Sequence, residues 1–382
     1  MTQPPDIDDR QRAAIARLVG EAGLGRLEEL IPLAGGANNR LLAVRAAEGS
    51  AALKIYFHHA HDPRDRLAAE WGFSTFVWQA GLREVPRPLA VDRQARLALY
   101  ELAPGRRLEP GQVTAAHVVA ASRFVSRLNR QRTAPAAAAL PNGSEACFSI
   151  GEHLACVDRR VARLEAIEPA TAVARQARQF AEQLAHDWCW LRASVVQRAR
   201  RAALACDAVL PAAARCLSPS DFGFHNALVD GCQVRFLDFE YAGWDDPAKL
   251  VCDFFCQPAV PVPLEHWERL VAPLFEGEPL DDAQPATDQR QSRAQRARSA
   301  QRARAGRARC ELLLCVYQVK WCAILLNEFL PLSQRRRRFA LGTTELAERQ
   351  NQQLIRARRA LDRAKSLAQW PAGAALLESR VA

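Results

Sequence analysis

The chain has 382 residues, of which 49% are hydrophobic and 25% are charged, and its formal net charge is +10. These proportions are typical of a globular protein with a large core, and the length predicts two domains or lobes. The eleven cysteines form no Cys-x2-Cys pair, which predicts reduced thiols in a cytoplasmic protein and argues against a cysteine metal site. The first residues, MTQPPDIDDRQR, are polar and acidic, so we expect no secretory signal there.

The longest apolar run covers residues 312–332 and is interrupted by Lys320, Asn327 and Glu328. A membrane-spanning helix needs about 20 mostly apolar residues. We therefore interpret this run as a buried core helix and expect no membrane span.

The first predicted element is a helix over residues 8–30, where apolar residues recur at helical spacing. A glycine turn follows at Gly35 and Gly36, continues to Asn39, and leads into two short β-prone runs within residues 41–57. A glycine turn between two strands lets backbone amides approach a phosphate closely. Considered alone, the turn is also consistent with an ordinary hairpin.

A lysine lies inside the next apolar strand, at Lys54 in the sequence ALKIY. Burying an ammonium group is costly unless it meets a negative partner. Glu70, on the helix predicted over residues 65–80, is the natural partner. The alternative is an edge-strand lysine that reaches water.

A strand predicted over residues 95–102 ends at a Pro-Gly dipeptide, which marks a boundary. Beyond it, the apolar spacing is helical through most of residues 113–195. The sequence therefore predicts a sheet-based N-terminal lobe, residues 1–103, and a mainly helical C-terminal lobe, residues 104–382.

One stretch interrupts the helical lobe: SPSDFGFHNALVDGCQVRFLDF, residues 218–239. Two β-prone runs in it flank an Asp-Gly dipeptide, which suits a tight hairpin turn. Folding the hairpin brings Asp238 beside Asn226, with Asp221 on the same loop. Magnesium prefers oxygen ligands, so these side chains predict a site for a metal ion and a phosphate group.

These residues resemble the family of aminoglycoside phosphotransferases and choline kinases, which are small-molecule kinases. The family signature is His-Gly-Asp-x4-Asn, a strand, Asp-Phe-Glu and a later Asp-Pro. The matching positions lie in a catalytic loop over residues 218–247 and are Asp221, Asn226, Asp238-Phe239-Glu240 and Asp246-Pro247. Pro219-Ser220 replaces the usual His-Gly, so the histidine that supports this loop in the family is absent.

The resemblance implies an α+β, protein-kinase-like bilobal fold that holds ATP and Mg²⁺ between its lobes. Some relatives use GTP, so both nucleotides stay open. By the resemblance, the nucleotide is contacted by Gly35, Gly36, Asn39, Lys54, Glu70 and the hinge residues Glu101 and Leu102. Asn226 and Asp238 would bind the metal, and Asp221 would be the catalytic base.

The resemblance also implies transfer of the γ-phosphate to a hydroxyl of a small molecule. A polycationic aminoglycoside would need an acidic pocket, and the candidates for it are Glu265, Glu268, Glu276, Glu278, Asp281 and Asp282. Because the rest of the C-terminal third is strongly basic, we favour a neutral or anionic acceptor such as a sugar or a sugar derivative. The alternatives are an aminoglycoside kinase and a nucleotide-binding pseudokinase, for which the Pro219-Ser220 replacement argues.

An arginine-rich run extends over about residues 289–309, with eight arginines and no acidic residue. Such a run is consistent with a patch for nucleic acid, anionic lipid or a phosphorylated substrate. We favour a solvated, partly disordered insertion, because the run has almost no apolar side chains and no aromatic residues on which bases could stack. A nucleic-acid partner is therefore not expected, and deleting the run should change stability little.

Overall fold

The computed structural model describes residues 7–33, 39–58, 64–276, 293–331 and 346–369. A small antiparallel sheet forms the N-terminal lobe and helices dominate the rest, which confirms the predicted α+β, bilobal architecture. The boundary near residue 103 stays a prediction. The sheet has the order β1-β2-β3-β5-β4, with β1 at Leu27–Pro32, β2 at Arg40–Ala46, β3 at Gly49–Ile55, β4 at Pro88–Asp92 and β5 at Leu97–Glu101.

The leading helix, α1, spans Asp9–Glu21. Asp8 is its N-cap residue, and the Asp8 carboxylate accepts a hydrogen bond from the Gln11 amide at 2.7 Å. The prediction that this helix reaches residue 30 is wrong. Gly23 and Gly25 have φ angles of 72° and 76°, in the left-handed region that ends helices. The chain then turns directly into β1.

The remaining helices build the C-terminal lobe, apart from α2, which packs on β4 and β5. In the described parts of the chain they are α2 Arg66–Gln79, α3 Ala115–Arg130, α4 Ile150–Arg163, α5 Ala172–Arg201, α6 Pro247–Cys256, α7 Trp267–Glu276, α8 Arg293–Leu326 and α9 Leu346–Gln369. Helix α8 is central, because α4, α5, α6 and α9 all pack against it. The eleven cysteines are all free thiols, as predicted.

One helical stretch, Ser299–Phe329, is long and apolar enough to cross a membrane by length and composition. Of its most apolar window, 83% is buried inside the protein. This burial agrees with our interpretation of the apolar run as a core helix.

The arginine-rich run is not an insertion at its C-terminal end, since residues 293–309 form the first half of α8. A Cβ added at Gly306 would lie 2.3 Å from the ring of Phe275, so the backbone of α8 lies directly against α7 at this point. Arg302 and Arg304 are exposed, as a solvated run requires. Residues 277–292 lie outside the described residues.

Two arginines of the run are anchored. Arg307 donates to Glu268 at 2.6 Å and lies 3.1 Å from a carboxylate oxygen of Glu276. The Arg309 side chain is only 10% exposed, and its Nε donates to Asp246 at 2.6 Å. The interpretation of the run as a solvated insertion is therefore wrong for these two residues, because α8 turns Arg307 toward carboxylates of α7 and Arg309 toward the buried carboxylate of Asp246.

Asp246 and Arg309 belong to a buried charge cluster, which we call the core cluster. Its members lie at the junction of α4, α6 and α8: His153, Asp245, Asp246, Lys249, Asp253, Arg309 and Lys320. Lys249 pairs with Asp245, and Lys320 donates to both carboxylate oxygens of Asp253 at 3.0 Å. Three aspartates thus face three permanent cations, and His153 lies 3.0 Å from Asp246.

Candidate active site

The candidate site begins where strand β6, Cys216–Ser218, pairs antiparallel with β9, Gly243–Asp245. This pairing closes the loop between the two strands at its base. Ser220 and Asp221 then adopt φ angles of 47° and 44°, so the chain reverses sharply just after Pro219. Non-glycine residues rarely occupy this left-handed region, and such residues often cluster at functional sites.

Asp221 is held by two side chains of its own loop. His225 Nε2 lies 3.2 Å from Oδ1, and Asn226 Nδ2 donates to the Asp221 main-chain oxygen at 3.1 Å and to Oδ2 at 3.4 Å. Burial favours the protonated acid, but the charge and hydrogen bond of His225, together with Lys320, hold the pKa of Asp221 below its usual value. Asp221 is therefore an ionised carboxylate at neutral pH.

The predicted hairpin is confirmed. Strand β7, Ala227–Asp230, pairs antiparallel with β8, Gln233–Phe236, across the Asp-Gly turn. After the hairpin, the Leu237 amide donates to the Asn226 carbonyl at 2.8 Å, so Asp238 follows immediately beside Asn226. Because the Asn226 amide nitrogen donates to Asp221, its amide oxygen remains to ligate a metal.

Lys54 links the lobes. Its Nζ donates to Glu70 at 2.6 Å and to Asp238 at 2.5 Å, while its side chain is only 10% exposed. Strand β3 lies between β2 and β5, so the alternative of an edge-strand lysine is wrong. The predicted ion pair with Glu70 is confirmed, and Tyr56 adds a hydrogen bond to the same carboxylate at 2.8 Å.

A third carboxylate, Glu240, completes what we call the cleft cluster: Lys54, Glu70, Asp238 and Glu240. One ligand oxygen from each of the three acids lies within 4.8 Å of the others. Hard divalent cations take such oxygen sets, so the cluster fits a magnesium ion. Sequence reasoning did not assign Glu240 a role, although it stands two positions after Asp238 in the matched motif.

The acids of the cleft cluster crowd one another. Burial raises the pKa of Glu70 to about 7, against the opposing charge of Lys54. Burial also raises the pKa of Asp238, again against Lys54, and Glu240 adds to the increase. Glu240 differs: burial opposes ionisation there too, but Lys54 and Arg66 lower its pKa. A cation bound among these groups would lower the pKa of both Glu70 and Asp238.

Asn39 is buried, at 4% exposure, and both ends of its side chain are engaged. Its Oδ1 accepts from the Phe57 amide at 3.0 Å, and its Nδ2 donates to Glu240 at 2.5 Å. Asn39 thus ties the end of the glycine turn to the cleft cluster. The predicted nucleotide residues Gly35 and Gly36 lie outside the described residues.

The hinge residues lie at the end of β5. The Glu101 amide donates to the Arg87 carbonyl at 2.8 Å, and its carboxylate accepts from Arg235 at 2.6 Å. Leu102 is 38% exposed. The predicted contacts of Glu101 and Leu102 with an adenine edge stay predictions.

The segment after Leu102 packs against the β7–β8 hairpin. Arg106 and Val229 exchange backbone hydrogen bonds of 3.0 and 2.9 Å. Gly105 has a φ of 115°, and a Cβ there would lie 2.8 Å from the Val229 carbonyl oxygen. Only glycine allows this close approach, which fastens the hinge to the hairpin that carries Asp238.

His225 is the second functional candidate that sequence reasoning missed. The signal available was a histidine directly before Asn226, four positions after Asp221. The side chain is 16% exposed, and its ring meets that of Trp321 edge-on at a centroid distance of 6.5 Å.

The phosphotransferase enzyme family matches residues 29–277. No curated protein matches the chain. Similar solved structures include a spectinomycin phosphotransferase in complex with ADP and spectinomycin, at 11% identity and a TM-score of 0.58, covering 94% of this chain and 98% of that one. A choline/ethanolamine kinase family protein from Mesorhizobium loti is similar at 18% identity and a TM-score of 0.54, with the same two coverages. A Plasmodium vivax ethanolamine kinase is similar at 11% identity and a TM-score of 0.53, covering 94% and 91%.

Proposed function

This chain belongs to the phosphotransferase enzyme family, and we propose that it transfers the γ-phosphate of ATP, or of GTP, to a hydroxyl of a small molecule. The observation that carries the proposal is the contact of Lys54 with both Glu70 and Asp238, where the nearby charge of Asp221 helps to raise the pKa of Asp238. A cation bound to carboxylates beside a second carboxylate suits phosphoryl transfer, in which positioning and charge neutralisation supply most of the catalysis.

In this proposal, Lys54 holds the nucleotide phosphates, and Asp238 with Asn226 binds Mg²⁺. The cleft cluster supports the metal assignment because its three carboxylates converge without enough positive charge to balance them. Mg²⁺ bound by these residues would supply positive charge that offsets the charge developing on the phosphate during transfer. The spectinomycin phosphotransferase, which shares the fold, was solved with ADP.

Asp221 accepts or orients the proton of the acceptor hydroxyl. As the bond from the acceptor oxygen to the γ-phosphorus forms, the bond from that phosphorus to the β,γ-bridging oxygen breaks, and the nucleoside diphosphate leaves. The hydroxyl proton passes to Asp221. The lowered pKa of Asp221 keeps its carboxylate ready to accept the proton.

For the acceptor, we propose a neutral or anionic small molecule such as a sugar or a sugar derivative. The acidic residues that could have formed a pocket for a polycation are partly neutralised, since Glu268 and Glu276 both contact Arg307. Glu265 is exposed and lies 3.7 Å from His266. The remaining candidates, Glu278, Asp281 and Asp282, lie outside the described residues.

The main alternative is a nucleotide-binding pseudokinase. The Pro219-Ser220 replacement argues for it, whereas the hydrogen-bonded and ionised Asp221 favours an enzyme. We expect Asp221→Asn to bind nucleotide normally and to transfer phosphate about 10²- to 10⁴-fold more slowly, because the amide keeps the shape but cannot take the proton.

Turnover of γ-labelled ATP across a panel of sugars, amino alcohols and aminoglycosides tests both possibilities. Labelled product from a sugar, lost in Asp221→Asn, supports the proposal. Nucleotide affinity in calorimetry with no product from any acceptor would identify a pseudokinase. Product that forms equally fast with Asp221→Asn would exclude Asp221 as the base.

A further inference from the structure

His225 lies where it can control the orientation of the Asp221 carboxylate. Its Nε2 is 3.2 Å from Oδ1 of Asp221. An ionised carboxylate can only accept hydrogen bonds, so Nε2 carries the proton and donates it. Within the described part of the chain, the hydrogen bonding of Oδ2 is limited to the longer contact of 3.4 Å with Asn226, so Oδ2 is the oxygen more available to an incoming hydroxyl.

Packing confines the His225 ring and a hydrogen bond holds its backbone, although Nδ1 has no hydrogen-bond partner among the described residues. Its Nδ1 lies so close to Gly223 that a Cβ on that residue would approach it to 2.9 Å. Trp321 meets the ring edge-on, and Arg107 donates to the His225 main-chain oxygen at 2.9 Å. A donor held this firmly loses little rotamer entropy when it binds a carboxylate.

At the N-terminal end of the loop the Ser220 amide donates to Ser218 Oγ at 3.1 Å, but among the described residues no side chain from that end hydrogen-bonds to the Asp221 carboxylate. Pro219 stands where the resembled family has a histidine, and Ser220 Oγ is buried without a hydrogen-bond partner among the described residues. Proline has no amide hydrogen to donate. Orientation of Asp221 therefore depends on contacts from the C-terminal side of the loop.

We infer that His225 is the positioning residue for Asp221: its Nε2–H holds Oδ1 so that Oδ2 faces the acceptor hydroxyl. This inference rests on the proposed function. A carboxylate that has lost one of two anchoring contacts rotates about its Cβ–Cγ bond, and a displacement of about 1 Å in a reacting group can cost about 100-fold in rate.

The test compares His225→Ala with His225→Gln. The glutamine amide nitrogen can occupy the position of Nε2, so it restores the donor without the ring. We expect His225→Ala to lower kcat about 10- to 100-fold with little change in the KM for ATP, and His225→Gln to recover most of that loss. His117→Gln is the matched control, because His117 packs against the same loop through Phe224 at 5.9 Å but does not contact Asp221.

A double-variant cycle separates positioning from packing. If His225 acts through Asp221, adding His225→Ala to Asp221→Asn lowers kcat no further. An equal additional loss in that background, or an alanine variant with wild-type kcat, would overturn the inference. A glutamine variant that folds but stays as slow as alanine would do the same.

A readout independent of turnover distinguishes failure of this inference from failure of the proposed function. In protein labelled with ¹⁵N-histidine, long-range ¹H–¹⁵N NMR should show a proton on Nε2 of His225, and Asp221→Ala should alter that signal. If the protein transfers phosphate from neither ATP nor GTP to any acceptor, the proposed function fails. If the His225 signal is unaltered in Asp221→Ala, the positioning role of His225 is overturned.

Discussion

The protein buries charge in two places, and the two clusters differ in balance. In the core cluster, three aspartates face three permanent cations, and each carboxylate is paired. In the cleft cluster, three carboxylates lie close together around Lys54, and Arg66 adds a second positive charge near Glu240. A balanced cluster is complete as it stands, whereas an excess of carboxylates invites a further cation.

The pKa values agree with this difference. Hydrogen bonds and the charges of His153 and Arg309 outweigh burial and lower the pKa of Asp246 to about 2, whereas burial raises the pKa of Glu70 to about 7. Asp245 is the exception in the core cluster, because complete burial raises its pKa despite Lys249. The raised pKa of Asp245 and the lowered pKa of Glu240 show that the two clusters differ in overall charge balance and not at every carboxyl group.

The largest expected loss of stability follows removal of a core-cluster cation. Lys249→Met leaves Asp245 buried without its ion-pair partner, and we expect the free energy of unfolding to fall by about 3–5 kcal/mol. Lys54→Met is the matched change in the cleft cluster. It should cost less, because Glu70 can take up a proton and Asp238 is 35% exposed. Urea unfolding of both variants measures the difference, and equal losses would remove the distinction between the clusters.

The second prediction concerns the two kinds of arginine in one run. Arg309→Met removes a charged hydrogen bond to Asp246, which should cost roughly 1.5–3 kcal/mol. Arg304→Met, five residues earlier on an exposed face of α8, should change stability by less than about 0.5 kcal/mol. Thermal and urea unfolding provide the comparison. If both variants behave like the wild type, the whole run is solvated and the core cluster does not depend on it.

The third prediction uses pH. The folded-state pKa of Asp246, about 2, lies below its ordinary value of 3.8, so its contribution to stability is present above about pH 4 and is lost as the pH falls toward 2. A shift of this size corresponds to roughly 2 kcal/mol. Urea unfolding between pH 5 and pH 2 should therefore show a shallower decline in Asp246→Asn than in the wild type. Parallel declines would contradict the low pKa.

Among substitutions within the two charge clusters, Asp238→Asn in the cleft cluster is expected to change stability least. Asparagine tolerates the φ of 66° at this position, and the substitution removes one of three crowded acids, so stability should change by less than about 1 kcal/mol. Function should change more: we expect magnesium-dependent affinity for ATP to fall at least about 10-fold. Calorimetric titration with and without magnesium measures this. Unchanged magnesium dependence would remove Asp238 from the metal site.

The parts that sequence predicted well depend on local physics. A lysine inside an apolar strand needs a carboxylate, and Lys54 finds it on Glu70, sixteen residues away. The Asp-Gly dipeptide likewise acts locally, because it forms the tight turn that joins β7 and β8. The architecture of two lobes follows from the change of apolar periodicity after β5.

The parts that sequence missed depend on contacts between distant segments. Asn39 and Glu240 are 201 positions apart, and no local pattern indicates that Asn39 donates a hydrogen bond to Glu240. The composition of the run does not distinguish one arginine from another. Arg309 is buried and Arg304 is exposed because they lie on different sides of α8. His225 was missed because its contact with Asp221 has the i, i+4 spacing of a helix but occurs on an irregular loop, where that spacing does not predict a contact.

The left-handed backbone at Asp221 and Asp238 has a genetic consequence. Few residues other than glycine tolerate such φ angles, and asparagine is one of them. A single G-to-A transition converts an aspartate codon into an asparagine codon. At both positions, a single transition thus reaches a residue that tolerates the backbone conformation and removes the carboxylate. A gene of this kind can lose its chemistry in one step and still encode a well-folded protein.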